Sequence, residues 1–450
     1  MTQPETTLTI VIPAYDEEDA IEAICERCVA AKQRLLSETD LDDVELIVVS
    51  DGSTDATVAR ATRFADAGQL RLIAYAPNAG YGAALKRGFC EGRGGLVAFL
   101  DADGTCDPEF LVPLTNACLR DGADIACGSR MHPGAKMPLV RRLGNRLFSG
   151  IINLLAQTEL RDSASGMRVL RRSSLARLYP LPDGLHFTPA MSCRAMLDAQ
   201  VRLVELDMPY EERVGRSKLN VVTDGLRFLR VILDTALTYR PFRLFGATAL
   251  LLLGLALLLG LSIAHAKWIS PGYEHLPRWY LIRMLTALTA ASAGMTIALL
   301  GLVAERLAVL IEEHQPPPGV LHRVLLPPLK DERILFLGLL FAAAGVLLNG
   351  GTFSEWARTG HITLDLWWSY IVTGAFLIVT GLQLAACGVL DRIIALLADR
   401  RRSQAALEAE ASPAVPLEAE ALEAEASPAV PLGAEAQECQ DSLVPANPHG

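Results

Sequence analysis

The chain has 450 residues, 51% of them hydrophobic, and a positive mean hydropathy. That is too apolar for a purely soluble protein and too long for one ordinary domain. The formal net charge is −10, but nine carboxylates lie beyond Ser403, where no Lys or Arg occurs; no basic stripe interleaves with aromatics, so no nucleic acid is expected as a partner.

The first half alternates strands and helices. Leu8 to Ile12 reads as a strand ahead of Pro13, and Glu17 to Leu36 as a helix. Val44 to Val49 is a second strand, ending at Ser50-Asp51-Gly52. Thr54 to Ala67 is helical, with Ser53 or Thr54 as its cap. Leu70 to Tyr75, Leu96 to Leu100 and Ala123 to Cys127 are further strands, the last ending at Gly128-Ser129-Arg130. Gly80 to Glu91 is a helix between two of them, and Asp107-Pro108-Glu109 opens another with Pro in its first turn. This order predicts an α/β domain with a mostly parallel sheet covered on both faces. Ligands then belong at the carboxyl edge of the strands.

The nine Cys residues form no disulfide framework and suit a reducing cytosol. Cys25 and Cys28 lie in a helical pattern without a second ligand pair, so they read as helix side chains. No signal peptide is expected before Leu8.

Gly225 to Tyr239 is amphipathic: Leu226, Leu229, Leu233 and Leu237 share a face, with Arg227, Arg230 and Asp234 off it. It reads as an interfacial helix on anionic lipid over residues 225–240; a packed core helix of the head is the alternative. Four uncharged stretches follow, at about 244–264, 284–304, 334–353 and 366–390. Each can cross a hydrocarbon core of about 30 Å. Arg240 and Arg243 precede the first. Arg306, Arg323, Lys330 and Arg333 separate the second and third, and Arg392 and Arg400 to Arg402 follow the fourth. The positive-inside bias puts both termini in the cytoplasm, as expected for a multi-pass protein of the plasma (inner) membrane. Trp268, Trp279, Trp356, Trp367 and Trp368 fall in or beside the two loops assigned outside. Spans without ionisable groups favour an anchor or lipid platform over a pore. In the tail, Leu407–Leu417 recurs at Leu422–Leu432, and residues 401–450 read as a disordered acidic linker with transient helix. The expected organisation is a head over 1–224, the interfacial helix, a membrane domain over 241–400 and the tail.

The most informative stretch is Leu96-Val-Ala-Phe-Leu-Asp101-Ala102-Asp103. Positions i and i+2 of an extended segment share a side, so both carboxylates can reach one divalent ion. Hard oxygen ligands suit Mg²⁺ or Mn²⁺. An ion at a strand's carboxyl end is placed to grip a diphosphate. Pro13-Ala-Tyr15-Asp16-Glu17 follows the first strand, where a rigid Pro, an aromatic face and a carboxylate can hold a nucleobase and ribose. Asp51-Gly-Ser-Thr-Asp55 follows the second and offers an acceptor for a base N–H. Asn78-Ala-Gly80-Tyr-Gly82 follows the third, letting backbone approach closely.

With these motifs the chain resembles the family 2 glycosyltransferases of the GT-A fold, and among them the polyprenyl-phosphate enzymes of the dolichol-phosphate mannose synthase type. Val11-Ile-Pro-Ala-Tyr-Asp-Glu17, Asp51–Asp55, Asn78–Ala84, Asp101-Ala-Asp103, Gly128-Ser-Arg130, Asp162-Ser-Ala-Ser-Gly-Met-Arg168 and Gly215-Arg-Ser-Lys-Leu219 carry the resemblance, over roughly residues 8 to 240. It implies a nucleotide-sugar-binding Rossmann-like domain ahead of about four transmembrane helices. It also implies inverting transfer from a nucleotide-diphosphate sugar (UDP- or GDP-) to a polyprenyl phosphate. Pro13, Tyr15, Glu17, Val49 and Asp51 would hold the nucleoside, with Ala102 and Asp103 completing the donor side. Asp101 and Asp103 would hold the Mg²⁺ or Mn²⁺ ion. Arg130 would meet the acceptor phosphate, with Arg168, Arg213 and Lys218 around it. Asp101, Asp103 and Arg130 are the candidate catalytic groups. An ionised lipid phosphate needs no protein base, so positioning and electrostatics carry the rate. Membrane lipids are the further partner, and homo-oligomerisation is compatible with the sequence.

Two departures stand out. Many relatives carry Asp-Asp-Gly-Ser where this chain has Ser50-Asp51-Gly52-Ser53, and the Gln two residues past the acidic pair is Thr105 here. His186, in the loop Gly184–Pro189, reads as a structural histidine beside the alternative of an acceptor-cleft residue. A processive polysaccharide synthase is disfavoured, because the Arg-Trp pair, Arg278-Trp279, falls in an outside loop. A flippase or scaffold with an inactive head is opposed by the intact acidic pair and the uncharged spans.

Overall fold

The computed structural model describes residues 6–156, 158–211, 213, 220–269, 278–311, 332–360 and 364–411. They fall into two compact units, one running to Ala236 and the other starting at Leu237.

The first unit is built on a seven-stranded sheet. Its strands are β1 (Thr7–Ala14), β2 (Asp43–Asp51), β3 (Arg71–Tyr75), β4 (Leu96–Phe99), β5 (Ile125–Ser129), β6 (Arg168–Arg171) and β7 (Leu203–Asp207), in the order β3-β2-β1-β4-β6-β5-β7. β1 lies between β2 and β4, with Val11 opposite both Ile47 and Phe99. All of β1 from Leu8 to Ala14 is buried, as a strand covered on both faces requires. Alternation splits its side chains between two cores: Leu8, Ile10 and Ile12 on one face, Val11 with Ile47 and Val49 on the other.

The helices of this unit are α1 (Glu18–Glu38), α2 (Thr57–Asp66), α3 (Tyr81–Glu91), α4 (Leu111–Leu119), α5 (Leu139–Ala156), α6 (Arg172–Leu178), α7 (Phe187–Leu197) and α8 (Val221–Tyr239). Cys25 and Cys28 are buried on the inner face of α1, where burial pushes the Cys25 thiol up to about 12.

Several boundaries differ from the sequence reading. α2 starts at Thr57 because Asp55 accepts from the Thr57 amide (2.9 Å), while the Thr54 amide donates to Asp16 (2.7 Å). β5 starts at Ile125, not Ala123, whose amide closes a turn onto the Ala117 carbonyl (3.0 Å). The largest difference is β6, which runs antiparallel between β4 and β5. α8 starts at Val221, four residues before the expected Gly225, because Asn220 Oδ1 accepts from the amides of Val222 (3.1 Å) and Thr223 (3.2 Å). Asp224, Phe228, Ile232 and Ala236 form its buried stripe, while Val222, Leu226 and Leu237 stay exposed.

The second unit consists of α9 (Pro241–Ile269), α10 (Arg278–Ile311), α11 (Glu332–Thr359) and α12 (Leu364–Ala411). Pro241 opens α9, the position where a missing N–H costs nothing. Each helix is long and apolar enough to cross a membrane, and the four expected spans fall within them. α11 and α12 approach through glycines: a Cβ at Gly345 would lie 2.5 Å from the Gly374 carbonyl, and one at Gly381 2.5 Å from that of Gly338. Small residues permit such packing where lipid supplies no hydrophobic drive. Gln383 on α12 donates to Thr296 Oγ1 on α10 (2.8 Å). α12 continues to Ala411, so residues 401–411 are helical where a disordered segment is expected; Glu and Ala are strong helix formers. The second copy of the tail repeat lies outside the described residues.

Candidate active site

A cleft of about 440 Å³ opens at the carboxyl edge of the sheet. Pro13 lines it at the end of β1 and Tyr15 and Glu17 just after, Asp51 at the end of β2, Asp101, Ala102 and Asp103 after β4, and Arg130 after β5. Arg213 reaches it from the segment ahead of α8. Lys218 lies outside the described residues.

Cross-bracing explains why these loops hold their shape. Asp16 has a φ of +46°, a left-handed conformation that a short polar residue tolerates. Its amide donates to Ser53 Oγ (3.1 Å), the Glu17 amide to Thr57 Oγ1 (2.8 Å) and the Glu18 amide to Asp55 Oδ2 (3.1 Å). The β1 and β2 loops therefore form one rigid rim carrying Tyr15 and Glu17. Asp51 accepts from the amides of Ala79 (2.7 Å) and Gly80 (2.8 Å), one on each carboxylate oxygen. Its charge fixes the third loop. Gly80, with a φ of +110°, leads into α3, and a Cβ on it would collide with the Asp183 carbonyl. Gly82 and Ala83 donate to that carbonyl, and Lys86 pairs with the Asp183 carboxylate. The close approach these glycines allow is taken by the chain's own 181–184 loop, which sets Gly184 and Leu185 on the cleft wall.

The acidic pair sits at the centre. Tyr81 Oη donates to Asp101 Oδ1 (2.8 Å). Burial, and then the neighbouring charge of Asp103, pushes the Asp101 carboxyl up to about 7. Asp103 Oδ1 accepts from Thr105 Oγ1 (2.6 Å) and the Thr105 amide (3.1 Å). Asp103 Oδ2 lies 3.4 Å from an Arg213 guanidinium nitrogen, and the same guanidinium pairs with Glu17. Among the described residues no three or more His, Cys, Asp or Glu side chains gather as a cation cage. Two carboxylates that leave most coordination positions to phosphate oxygens and water suit Mg²⁺ or Mn²⁺. Their oxygens are the hard donors such an ion takes, and a side-chain cation, Arg213, already lies against Asp103 Oδ2.

Arg130 is clamped. Its Nε and one terminal nitrogen each donate to Asp162 (2.8 Å), its amide donates to the same carboxylate (2.9 Å), and the guanidinium lies 5.5 Å from the Tyr210 ring centroid. Burial alone would push the Asp162 carboxyl up; the Arg130 guanidinium overrides this and holds it below the usual range. Asn145 on α5 donates to Asp162 as well (3.0 Å).

Two expected site residues lie elsewhere. Val49 is a core residue of β2, packed in the cluster of Val11 and Ile47 rather than against the cleft. Arg168 is fully buried. Its guanidinium donates to the carbonyls of Ser165 (3.2 Å) and Ser163 (3.1 Å) and to Ser192 Oγ (2.8 Å). It braces the Asp162–Gly166 loop from behind, which removes it from direct contact with a phosphate in the cleft.

The sequence reading missed α5. This helix buries Asn145, Ser149 and Ile152 but leaves Leu139 80%, Leu143 71%, Leu147 60% and Leu154 78% exposed. The i, i+4 spacing of Leu139, Leu143 and Leu147, with Arg141, Arg142 and Arg146 alongside, is the signal that was available. Val140, Arg141 and Phe148 of α5 and Arg227 and Phe228 of α8 line the cleft. The two helices meet through Phe148 and Phe228, whose ring centroids are 5.7 Å apart.

The family model described as glycosyl transferase family 2 matches residues 9–179, and a domain of unknown function, DUF8752, matches 241–405. A dolichyl-phosphate beta-glucosyltransferase of Trichomonas vaginalis is 30% identical over 48% of this chain and 67% of its own. The chain belongs to glycosyl transferase family 2. Agl6 of Haloferax volcanii, a hexosyltransferase of low-salt glycan biosynthesis, is 33% identical over 54% of this chain and 55% of its own, so the chain spans little more than half that relative's length. A dodecaprenyl-phosphate galacturonate synthase of Rhizobium johnstonii is 27% identical over 58% and 77%. In this family 2 glycosyl transferase the matched stretch carries Asp51, the acidic pair and Arg130, and stops before Arg213 and α8.

Proposed function

We propose that the protein transfers a monosaccharide from a nucleotide-diphosphate sugar to a polyprenyl phosphate at a membrane surface, with inversion at the anomeric carbon. The observation that carries this reading is that one cleft holds Asp101, Asp103, Arg130 and Arg213 and is flanked by two helices with exposed apolar side chains.

Tyr15 and Glu17, on the braced rim, would receive the nucleoside. Asp101 and Asp103 would hold Mg²⁺ or Mn²⁺, which when bound neutralises charge building on the departing nucleotide. Arg130, kept flat by Asp162 and Tyr210, presents a charged planar face to the acceptor phosphate. Arg213 adds positive charge where donor and acceptor phosphates converge. A lipid monophosphate is ionised near neutral pH, so attack on the anomeric carbon requires alignment rather than a protein base. The acceptor tail would leave between α5 and α8 along Val140, Phe148 and Phe228. α8 ends at Tyr239, two residues before the first apolar span begins at Pro241, which favours an acceptor drawn from the bilayer. Both termini are then cytoplasmic by the distribution of Arg and Lys.

The test is a panel of UDP- and GDP-sugars offered to the full chain with undecaprenyl phosphate and Mn²⁺ or Mg²⁺. Nucleotide release that needs both lipid phosphate and metal, and yields one lipid-linked monosaccharide, supports the reading. Release that ignores the lipid phosphate, a polymeric product, or no release with any donor contradicts it.

A further inference from the structure

Thr105 lies two residues past the acidic pair, and the structure gives it a definite use. Its side chain is 1% exposed, and its hydroxyl and amide both donate to Asp103 Oδ1, at 2.6 and 3.1 Å. The residue itself is locked. Its carbonyl accepts from the Glu211 amide (2.9 Å), and the next residue, Cys106, bridges to Tyr210. These backbone contacts hold Thr105 beside Asp103.

The other carboxylate is pinned in its own way. Asp101 Oδ1 takes the Tyr81 hydroxyl (2.8 Å), and its carboxylate packs so closely on Gly166 that a Cβ there would collide with it. Three neutral donors from two residues, Tyr81 and Thr105, thus engage one oxygen of each carboxylate. Asp103 Oδ2 faces a side-chain cation instead.

We propose that Thr105 is a positioning and metal-selecting residue: by tying up Asp103 Oδ1 it leaves Oδ2 as a one-oxygen ligand, and so favours Mg²⁺ or Mn²⁺ over Ca²⁺. The argument rests on the metal assignment above. Mg²⁺ takes octahedral sites at about 2.0–2.1 Å with single carboxylate oxygens and water, whereas Ca²⁺ at about 2.3–2.6 Å accepts six to eight ligands and often both oxygens of one carboxylate. A carboxylate held by two donors on one oxygen is a poor bidentate ligand. Loss of the hydroxyl leaves only the longer amide bond on Oδ1, so that Asp103 turns more readily and offers both oxygens.

The experiment uses the full chain in detergent with UDP and, in parallel, GDP as probes. Bound Mn²⁺ is read from the spin-resonance signal of the free ion, and Ca²⁺ is titrated as competitor; no sugar transfer enters the readout. Thr105→Ala and Thr105→Val remove the hydroxyl, and Thr105→Ser keeps it. The expected result is that Ca²⁺ displaces Mn²⁺ about tenfold more readily from the Ala and Val variants than from wild type, with the Ser variant like wild type. An unchanged Mn²⁺/Ca²⁺ ratio in the Ala and Val variants, or a Ser variant shifted as far as they are, overturns the proposal while the metal assignment stands. If wild type retains no Mn²⁺ with either nucleotide, the metal assignment falls and takes this inference with it.

Discussion

One guanidinium nitrogen of Arg213 lies 3.4 Å from Asp103 Oδ2, and the same side chain pairs with Glu17 on the opposite rim. A protein cation thus spans the carboxylates proposed for the metal and the nucleoside. A divalent ion at Asp103 must share or displace that contact. Arg213→Gln is therefore expected to tighten Mn²⁺ binding severalfold while slowing sugar transfer about 100-fold, the scale for losing one charge-stabilising donor. Titration of Mn²⁺ with the purified variant, beside its turnover, checks the opposite signs; weaker Mn²⁺ binding contradicts them.

Asp162 is completely buried beneath Arg130 and accepts from both its side chain and its amide. Removing one partner of such a pair leaves an uncompensated charge and costs about 3–5 kcal/mol. Asp162→Ala should accordingly melt well below wild type in a thermal scan of the solubilised chain. A shift of under about a degree would mean that Arg130 is not held by this carboxylate.

The Leu face of α5 is expected to touch lipid. Its Arg141, Arg142 and Arg146 beside an exposed leucine stripe make a cationic amphipathic helix suited to an anionic surface. In reconstituted protein whose five native tryptophans are replaced by phenylalanine, Leu143→Trp should be quenched by brominated phospholipid, and Arg93→Trp, at an exposed position, should not. Equal quenching at both sites, or none at Leu143, contradicts membrane contact by α5.

The pH dependence follows from Asp101. Burial and the charge of Asp103 push its carboxyl from the ordinary 3.8 to about 7. Between those values the folded chain holds a proton that the unfolded chain has lost. Stability without metal therefore falls as pH rises from about 4 to 7 and levels off above. Asp101→Asn should flatten that slope, as read from melting temperature against pH. A variant whose slope matches wild type would place the buried proton elsewhere.

Much of this arrangement was legible because local signals and tertiary environment agree. β1 is an unbroken apolar run because both faces are covered, and the acidic residues after β4 mark the sheet edge where the cleft opens. β6 was not legible: its four residues begin and end with arginine, and Arg168 is buried only because the carbonyls of Ser163 and Ser165 receive it. No periodicity announces a charged side chain satisfied by the carbonyls of the loop just before it. α5 was readable in principle, but its exposed leucines look like any helix stripe until the structure shows the other face packed inward. Val49 shows the limit of motif matching: it alternates into the core, whereas Asp51 lines the cleft with the Ala79 and Gly80 amides on its carboxylate.

The most direct measurement compares wild type with Asp103→Asn in a single turnover on undecaprenyl phosphate, using the donor identified by the panel. The amide preserves shape while removing the charge that would face the cation. Transfer slower by about 1,000-fold, a loss of roughly 4 kcal/mol of transition-state stabilisation, with the head still folded, is the outcome the account requires. Transfer within a few-fold of wild type would contradict it.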